Sequence, residues 1–403
     1  MEKNIIETAY EESIAQLLKN STEYGLAASL ANHEGTKKNY SALYSRDVGV
    51  CSLGILASDD KELIKILKKS LQNLASFQSP LGQIPFYVKP EKKEVQWRQT
   101  GSIDGTIWWC IAFLKYYKHA ADHEFYHRYK ENLERAFTWL LYQDTNNDSL
   151  LEQGEAADWA DEMPRQGTVL YANTLWYWLV KLRIEIEGKK EYNTLLIQIY
   201  EAFNSLFWIR KGTSSNFSYI PENSFTKNNL FAKQIMEYTN SKAVYFPYYI
   251  GFVSHKNFEM RCEVFGNILA CLVGLADEEK AELITDFIKR SAINQPYPVK
   301  ALYPPIYPGE QDFKDYMTKG RQNYPWQYHN GGIWPCIGGF WVQWLARYDK
   351  NLATKELEKL AQVNKINDWE FNEFFHGEYG TPMGVMHQSW NMGMYIAAYK
   401  EIY

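Results

Sequence analysis

The chain has 403 residues, 23% of them charged, with a formal net charge of −5 at pH 7. No cluster of Lys and Arg longer than a few residues occurs, so the sequence lacks the basic footprint of a nucleic-acid-binding protein. Aromatic residues make up 16% of the chain, including 30 Tyr and 14 Trp, which is more than a core requires. Such an excess is typical of a groove that stacks on sugars or bases.

The amino-terminal segment and the cysteines favour a soluble, cytoplasmic protein. Residues 1–20 are amphipathic and acidic, without the basic, apolar and small-residue regions of a secretory signal. No apolar run reaches the length of about eighteen residues that predicts a membrane span. The five cysteines are scattered without Cys-x-x-Cys spacing, which favours reduced thiols in a core and argues against a zinc site. We expect no cofactor and no nucleic-acid or membrane partner.

Helical periodicity recurs along the whole chain. Residues 59–77 place Leu63, Leu67 and Leu71 on one stripe behind an Asp cap, and residues 277–290 repeat this pattern. Similar patterns predict helices near 5–20, 41–56, 102–119, 122–142, 167–186, 189–207, 259–274, 331–347, 353–364 and 384–399. Strand-like alternation is scarce, with residues 215–224 and 243–253 as candidate short hairpins or loops. Because no linker divides the chain, we predict one all-α domain over residues 1–403.

Three long connections carry unusual content for loops. Residues 79–102, 147–167 and 303–332 are rich in Trp, Tyr, Arg and acids, where ordinary loops hold Ser, Gly and Lys. Loops of this length and composition are usually functional. If they gather at one end of a helical scaffold, they form a concave, aromatic and acidic pocket suited to a sugar.

A glycosidic bond is hydrolysed by two carboxyl groups, one to protonate the leaving oxygen and one to activate water or attack the sugar. Asp104 lies between small residues where a helix begins, and Trp108 and Trp109 follow it, so desolvation could raise its pKa. The alternative is that Asp104 only caps that helix. Residues 368–399 offer Glu373 or Glu378 as the second acid, with a solvated acidic loop as the alternative.

Four motifs together resemble a known group of enzymes. YSRDVGV, GSIDGTIWW, YHNGGIWP and NEFFHGEYGTPMGVMHQSW occur in the order found in inverting glycoside hydrolases with an (α/α)6 barrel. This group includes the alkaline/neutral invertases, bacterial and processing α-glucosidases, trehalases and the glucosidase domain of glycogen-debranching enzymes. The resemblance spans residue 44 to the end and implies an (α/α)6 barrel. It also implies Asp104 as general acid and Glu373 as general base, with Glu378 as runner-up.

The resemblance also implies a set of sugar-binding residues and a mechanism. An Arg-Asp pair grips the non-reducing glucose, and hydrolysis proceeds by single displacement with inversion, with the carboxyls roughly 6.5–9.5 Å apart. The predicted substrate-binding residues are Tyr44, Arg46, Asp47, Trp97, Arg98, Gln99, Trp108, Asp158, Trp159, Asp161, Arg165, Trp326, His329, Asn330, Trp334, His387, Gln388 and Trp390. For the Asp and Arg residues of 158–165, a structural network at the barrel rim is the alternative.

Two departures from the invertase pattern bear on the substrate. The invertases have Asp-Ser-Gly where this chain has Asp104-Gly105-Thr106, and AADWADEMPRQG stands in place of their Asp-Arg-Arg-Met loop. We therefore predict hydrolysis of an α-glucoside of a small acceptor, with a sucrose-specific invertase as an alternative.

Two other classes of function stay open on the sequence. A sugar epimerase or isomerase could use the same helical toroid with His329, His376 and His387 as acids and bases. A sugar-binding protein without catalysis is the second. Separately, residues 144–155 place acidic and amide side chains at calcium-loop positions, but Ser149 stands where the loop requires Gly. An Asn-Asp turn is the alternative there, and we predict no metal for the catalytic chemistry.

Overall fold

The computed structural model describes residues 4–30, 40–98, 101–209, 245–255 and 257–403. Within these ranges the chain forms twelve α-helices, most of them near their predicted positions. They are α1 Ile5–Lys19, α2 Ser45–Ser58, α3 Lys61–Ser76, α4 Ile103–Ala120, α5 His123–Leu141, α6 Leu170–Glu187, α7 Asn193–Phe207, α8 Val264–Val273, α9 Glu278–Arg290, α10 Pro335–Tyr348, α11 Lys350–Trp369 and α12 Ser389–Ile402.

The even-numbered helices contact one another in a closed circuit. Helix α2 packs on α4, α4 on α6, α6 on α8, α8 on α10, α10 on α12, and α12 returns to α2. These six helices are buried almost all round, as on α4, where every residue from Ile103 to Leu114 is buried. A helix that is apolar on every face has to be surrounded by protein.

The odd-numbered helices pack outside this circuit. Helices α5, α7 and α9 contact α4, α6 and α8, respectively. Helix α3 contacts both α2 and α4, α11 contacts both α10 and α12, and α1 packs on α12. The predicted stripe of α3 is confirmed, since Leu63, Leu67 and Leu71 are buried. The Asp caps are confirmed as well, because Asp60 accepts from the backbone at the start of α3 and Asp277 does so at the start of α9.

The prediction of an all-α protein is incomplete, because short strands occur between the helices. They are β1 Ser21–Thr22, β2 Gly25–Leu26, β3 Leu43–Tyr44, β4 Tyr87–Lys89, β5 Glu94–Gln96, β6 Glu152–Gln153, β7 Gly167–Val169, β8 Ile250–Val253, β9 Phe258–Glu263, β10 Leu302–Tyr303, β11 Phe374–Phe375 and β12 Pro382–Met383. Five of them form one antiparallel sheet in the order β10-β9-β8-β7-β6, and β3-β4-β5 form another.

Several strands lead directly into inner helices, and this is why the predicted helix starts are too early. Residues 258–263 belong to β9, so the helix predicted from 259 begins at Val264. In the same way β3 precedes α2, and β7 precedes α6. In these short strands the alternation of apolar and polar residues is too brief to recognise in the sequence. Pairing with distant strands stabilises them. The strand candidate at 243–253 is partly confirmed by β8, whereas 215–224 lies outside the described residues.

Most buried apolar side chains of the described residues form one large cluster that reaches from Ile6 to Ile402, and Ala42, Phe86 and Tyr87 form a small second cluster. All five cysteines are buried and free, as predicted. In the part of the chain that the structure describes, no helix is long and apolar enough to cross a membrane.

Candidate active site

A pocket of about 610 Å³ opens where the inner helices begin. This volume lies within the roughly 300–1,000 Å³ typical of small-molecule sites. The first turn of α2 and the start of α12 contribute to it, together with the loops that precede α4, α6 and α10. The described residues that line it are Tyr40, Tyr44, Arg46, Asp47, Phe86, Tyr87, Gln96, Arg98, Trp159, Asp161, Glu162, Gln322, Tyr328, His329, Trp334, Glu373, Gln388 and Trp390.

Asp104 lies beneath this pocket and does not reach its surface. Its side chain has no exposed area, and it accepts hydrogen bonds from Arg46 at 3.1 Å, Ser102 at 3.0 Å and Tyr171 at 3.3 Å. Burial raises the pKa of the Asp104 carboxyl, and the guanidinium of Arg46 opposes that rise. Trp108 is also fully buried and donates to the Tyr171 hydroxyl at 2.8 Å. Asp104 thus holds Arg46 in place, and Arg46 in turn lines the pocket.

Asp47 follows Arg46 in the first turn of α2 and lines the same pocket. Burial raises the pKa of its carboxyl to about 7, although Arg46 acts in the opposite direction. The negative charges of Glu373 and Asp104 raise this pKa further. Several acids therefore share a small, poorly solvated region around one guanidinium.

Glu373 is fixed at the pocket wall by contacts on both oxygens. The Tyr40 hydroxyl donates to its Oε1 at 2.5 Å, and the backbone N–H of Val385 donates to its Oε2 at 3.1 Å. The backbones of Glu373 and Val385 also pair, next to the β11–β12 hairpin. Gly384 has a φ of +76°, and a Cβ there would lie 2.6 Å from Oε2. Only glycine allows this turn to close over the carboxylate.

Asp161 and Glu162 are the acids that the loop between β6 and β7 brings to the pocket. Arg98 donates to the carboxylate of Asp161, and the guanidinium of Arg98 lies 4.9 Å from the Phe86 ring centroid. Arg98 adopts a left-handed backbone conformation with a φ of 59°. Strained residues of this kind are concentrated at functional sites. Glu373 and Asp161 thus each accept a hydrogen bond from a side chain that lines the same pocket, Tyr40 and Arg98, respectively.

Aromatic rings line the same pocket and pack on one another. His329 stacks on Trp334 with centroids 5.2 Å apart, and Trp159 meets His329 edge-on at 4.8 Å. Trp390 meets Trp334 at right angles at 5.5 Å. The pKa of the Tyr328 hydroxyl is raised well above its usual value, mainly by burial and then by Asp161 and Glu373. The Tyr328 hydroxyl therefore interacts electrostatically with both carboxylates.

Of the predicted binding residues, ten line the pocket. These are Tyr44, Arg46, Asp47, Arg98, Trp159, Asp161, His329, Trp334, Gln388 and Trp390. Gln99 lies outside the described residues. The remaining seven, which are Trp97, Trp108, Asp158, Arg165, Trp326, Asn330 and His387, do not line it.

The structure shows what several of these seven residues do instead. Asp158 and Arg165 form a buried ion pair at 2.6 Å, and Arg165 also lies 3.4 Å from Glu263 at the start of α8. This is the structural network considered as the alternative. Asn330 joins its own loop to Ile306 through two hydrogen bonds of 2.7 and 2.8 Å.

The lining residues that the sequence did not single out come mainly from distant segments. Tyr40 is 333 positions from Glu373, so no local pattern could reveal their contact. Phe86 directly precedes β4 and Tyr87 begins it, and both resemble ordinary strand residues. Tyr328 could have been found, because it belongs to the YHNGG motif.

The candidate calcium loop binds its own backbone. Asp144 accepts from the N–H groups of Asp148 and Ser149, both at 2.9 Å, and Asp148 accepts from Leu150 at 2.9 Å. Glu155 accepts from the Tyr316 hydroxyl. These contacts correspond to the Asn-Asp turn considered as the alternative. Among the described residues, no group of three or more His, Cys, Asp or Glu could hold a metal ion.

A mostly helical scaffold whose pocket is lined by carboxylates and tryptophans suits a glycoside hydrolase. The sequence profile described as alkaline and neutral invertase matches residues 6–402. The chain belongs to this family of glycoside hydrolases.

Two plant relatives illustrate the similarity in sequence. A probable alkaline/neutral invertase F of Arabidopsis thaliana is 23% identical over 409 residues, which cover 89% of this chain and 80% of that protein. Neutral/alkaline invertase 3, chloroplastic, of Oryza sativa subsp. japonica is 26% identical over 195 residues, which cover 46% of this chain and only 30% of the rice protein.

The chain is mostly helical and has structural neighbours among the six-hairpin glycosidases. A GH63 mannosylglycerate hydrolase from Thermus thermophilus, in complex with Tris, superposes with a TM-score of 0.68 at 11% identity, covering 96% of this chain and 99% of that one. A bacterial glucoamylase complexed with acarbose gives a TM-score of 0.61 at 13% identity, covering 99% of this chain and 56% of that one. At these identities the likeness concerns the fold alone.

Proposed function

We propose that this protein hydrolyses the α-glucosidic bond of a small, uncharged glucoside by single displacement with inversion. The observation that carries the proposal is the pocket itself, which Glu373 and Asp161 line together with tryptophan and tyrosine rings. An inverting mechanism needs two carboxyl groups with room for water between them. The closed circuit of six inner helices surrounded by six outer ones supports an (α/α)6 barrel as the scaffold.

In this mechanism Glu373 is the general base. Hydrogen bonds from Tyr40 and the Val385 backbone orient its carboxylate toward the task of deprotonating the attacking water. Arg46 and Asp47 bind the sugar hydroxyls at the bottom of the pocket, as the resemblance implies for an Arg-Asp pair.

We assign the general acid to Asp161 in preference to Asp104. A proton donor has to come within hydrogen-bond reach of the glycosidic oxygen. Asp161 lines the pocket, whereas the carboxyl of Asp104 has no exposed surface, and each of the two acids is paired with an arginine. The sequence-based assignment of Asp104 stays a prediction, and the experiment below separates the two.

The charges in the pocket favour an uncharged acceptor. Among the described lining residues the permanent cations are Arg46 and Arg98, and each is paired with an aspartate. Neither is therefore available for the carboxylate of a glycosylated acid without breaking an existing pair. Sucrose is the first substrate to test, because the family and the plant relatives carry the name invertase.

The histidine-based alternative loses support from the geometry. An epimerase needs two bases at one sugar carbon, but His387 does not line the pocket, and His329 is stacked flat on Trp334. No observation favours a second function over hydrolysis.

Proton NMR of the enzyme with sucrose and a panel of other α-glucosides tests the reaction. We expect β-glucose to appear first from at least one substrate. α-Glucose appearing first would refute inversion, and no cleavage across the panel would refute the proposed hydrolysis of α-glucosides.

Variants assayed on α-glucosyl fluoride assign the acids, because fluoride leaves without protonation. We expect Glu373→Gln to lose activity on every substrate by at least about a hundredfold. Asp161→Asn should lose activity on sucrose but retain it on the fluoride. If instead Asp104→Asn loses activity on sucrose and retains it on the fluoride, Asp104 is the general acid. Glu378→Gln, an exposed acid in the same segment as Glu373, is the matched control and should match the wild type.

A further inference from the structure

A second cavity, of about 650 Å³, lies at the opposite end of the inner helices. Each of the six inner helices contributes residues from its middle or carboxyl-terminal part, for example Leu56 on α2 and Val273 on α8. Asp104 and Lys115 lie eleven residues apart on α4, so at 1.5 Å per residue the two ends are separated by about 16 Å. We call this second cavity the basal funnel.

The basal funnel is basic in a protein that is acidic overall. Five Lys or Arg side chains line it, whereas its acids are Glu185 and Glu401. The cations are Lys115, Lys118, Lys181, Arg347 and Lys400. The active-site pocket has the opposite character, since its four acids outnumber its two arginines.

Two of these five cations donate hydrogen bonds to backbone carbonyls near the carboxyl end of α8. Lys181 donates to the carbonyl of Val273 at 3.1 Å, and Arg347 donates to that of Leu272 at 3.1 Å, both near the end of α8. Cations at helix carboxyl ends stabilise the helix dipole. These two residues therefore have a structural role that requires no ligand.

Lys115 and Lys118 are different. They are three residues apart on α4, which places them on one face of the helix. Among the described residues, neither has a carboxylate within ion-pair distance, and Lys115 lies 5.2 Å from the ring centroid of Trp178. The pKa of Lys115 is lowered by burial and then by the positive charges of Lys118 and Arg347. Glu185 and Glu401 oppose this lowering of the pKa only in part.

The wall around these lysines is apolar and aromatic. Leu53, Trp178, Leu269 and Phe340 line the funnel, so an occupant has a surface on which to pack. Two lysines on one face of a helix match a phosphate, which carries about −1.5 to −2 charges near neutral pH.

We propose that the basal funnel binds a small organic phosphate monoester, with the phosphate between Lys115 and Lys118 and the organic group against Trp178 and Phe340. This site is separate from the active-site pocket. Its occupation does not depend on the proposed hydrolysis.

Isothermal titration calorimetry with phenyl phosphate tests the proposal, because this probe carries no sugar that the active site could recognise. We expect one site per chain, tighter binding than for inorganic phosphate, and no binding of phenol. Lys115→Gln should weaken binding at least about tenfold, since a charge-assisted hydrogen bond is lost. Lys118→Glu, an exposed position where misfolding is not expected, should weaken it further.

Two controls locate the binding. Lys69→Gln, an exposed lysine on α3, should leave the affinity unchanged, and so should Arg98→Gln in the active-site pocket. The proposal is overturned if no binding is seen up to about 1 mM, a weak limit for specific recognition. It is also overturned if Lys118→Glu binds as the wild type does, or if Arg98→Gln abolishes binding.

Discussion

Asp47 provides a direct test of the electrostatics of the active-site pocket. Its carboxyl has a pKa of about 7 in the folded protein, compared with the ordinary 3.8, because it is buried among other acids. Below about pH 4 this carboxyl is protonated in both the folded and the unfolded chain, so its titration does not change the free energy of unfolding. Between pH 4 and 7 the folded state holds the proton that the unfolded chain releases, so stability falls as the pH rises. Above pH 7 the loss of stability caused by this group stays constant.

The size of this cost follows from the two pKa values. The difference between 3.8 and about 7 corresponds to about 4 kcal/mol of lost stability above pH 7. Asp47→Asn removes the ionisable group, and Arg46 keeps its pair with Asp104 at 3.1 Å. We therefore expect the free energy of unfolding of the variant to exceed that of the wild type by about 2–4 kcal/mol at pH 8, and by almost nothing at pH 4.

Urea denaturation followed by tryptophan fluorescence, from pH 4 to pH 8, measures this difference. Asp315→Asn, at an exposed position, is the control and should show no pH-dependent gain. We also expect Asp47→Asn to lose hydrolytic activity, as is common where function requires a destabilised site. If the variant shows the same difference from wild type at every pH, or is less stable at pH 8, the electrostatic reasoning is wrong.

Three further predictions concern packing, the base and the acidic loop. Gly54→Ala should lower the free energy of unfolding by about 3 kcal/mol, because the added Cβ would lie 1.8 Å from the carbonyl oxygen of Gly393. Thermal denaturation measures this, and an unchanged melting temperature would contradict the close contact between the two helices. Tyr40→Phe removes a hydrogen bond to Glu373 and should lower kcat about tenfold with an unchanged circular dichroism spectrum; full activity would show that the hydroxyl is dispensable. EDTA should not shift the melting temperature, since the acids of residues 144–155 accept from the protein itself; a shift reversed by calcium would refute this.

The helices were predictable because their signal is local. The stripe of Leu63, Leu67 and Leu71 repeats at helical spacing within one segment, and the Asp60 cap stands directly before it. The strands were not predictable in this way. β3 has two residues, and its partner β4 lies more than 40 positions along the chain, so pairing rather than propensity defines it.

The candidate site was predictable in part for the same reason. Contiguous motifs identified Arg46, Asp47 and Glu373, all of which line the pocket. The motif around Asp104 could not reveal that its carboxyl points into the protein, because its contacts with Arg46 and Tyr171 join separate helices. Burial depends on every element packed around a residue.

The sequence by itself determined the helical architecture, the family and the segments from which the pocket is built, because these depend on local periodicity and contiguous motifs. Tertiary structure alone decided which carboxyls face the pocket, that Tyr40 contacts Glu373 and that the six inner helices leave a basic funnel at their far end. Those features arise from residues far apart in the chain, whose exposure and electrostatic environment exist only after the helices have packed.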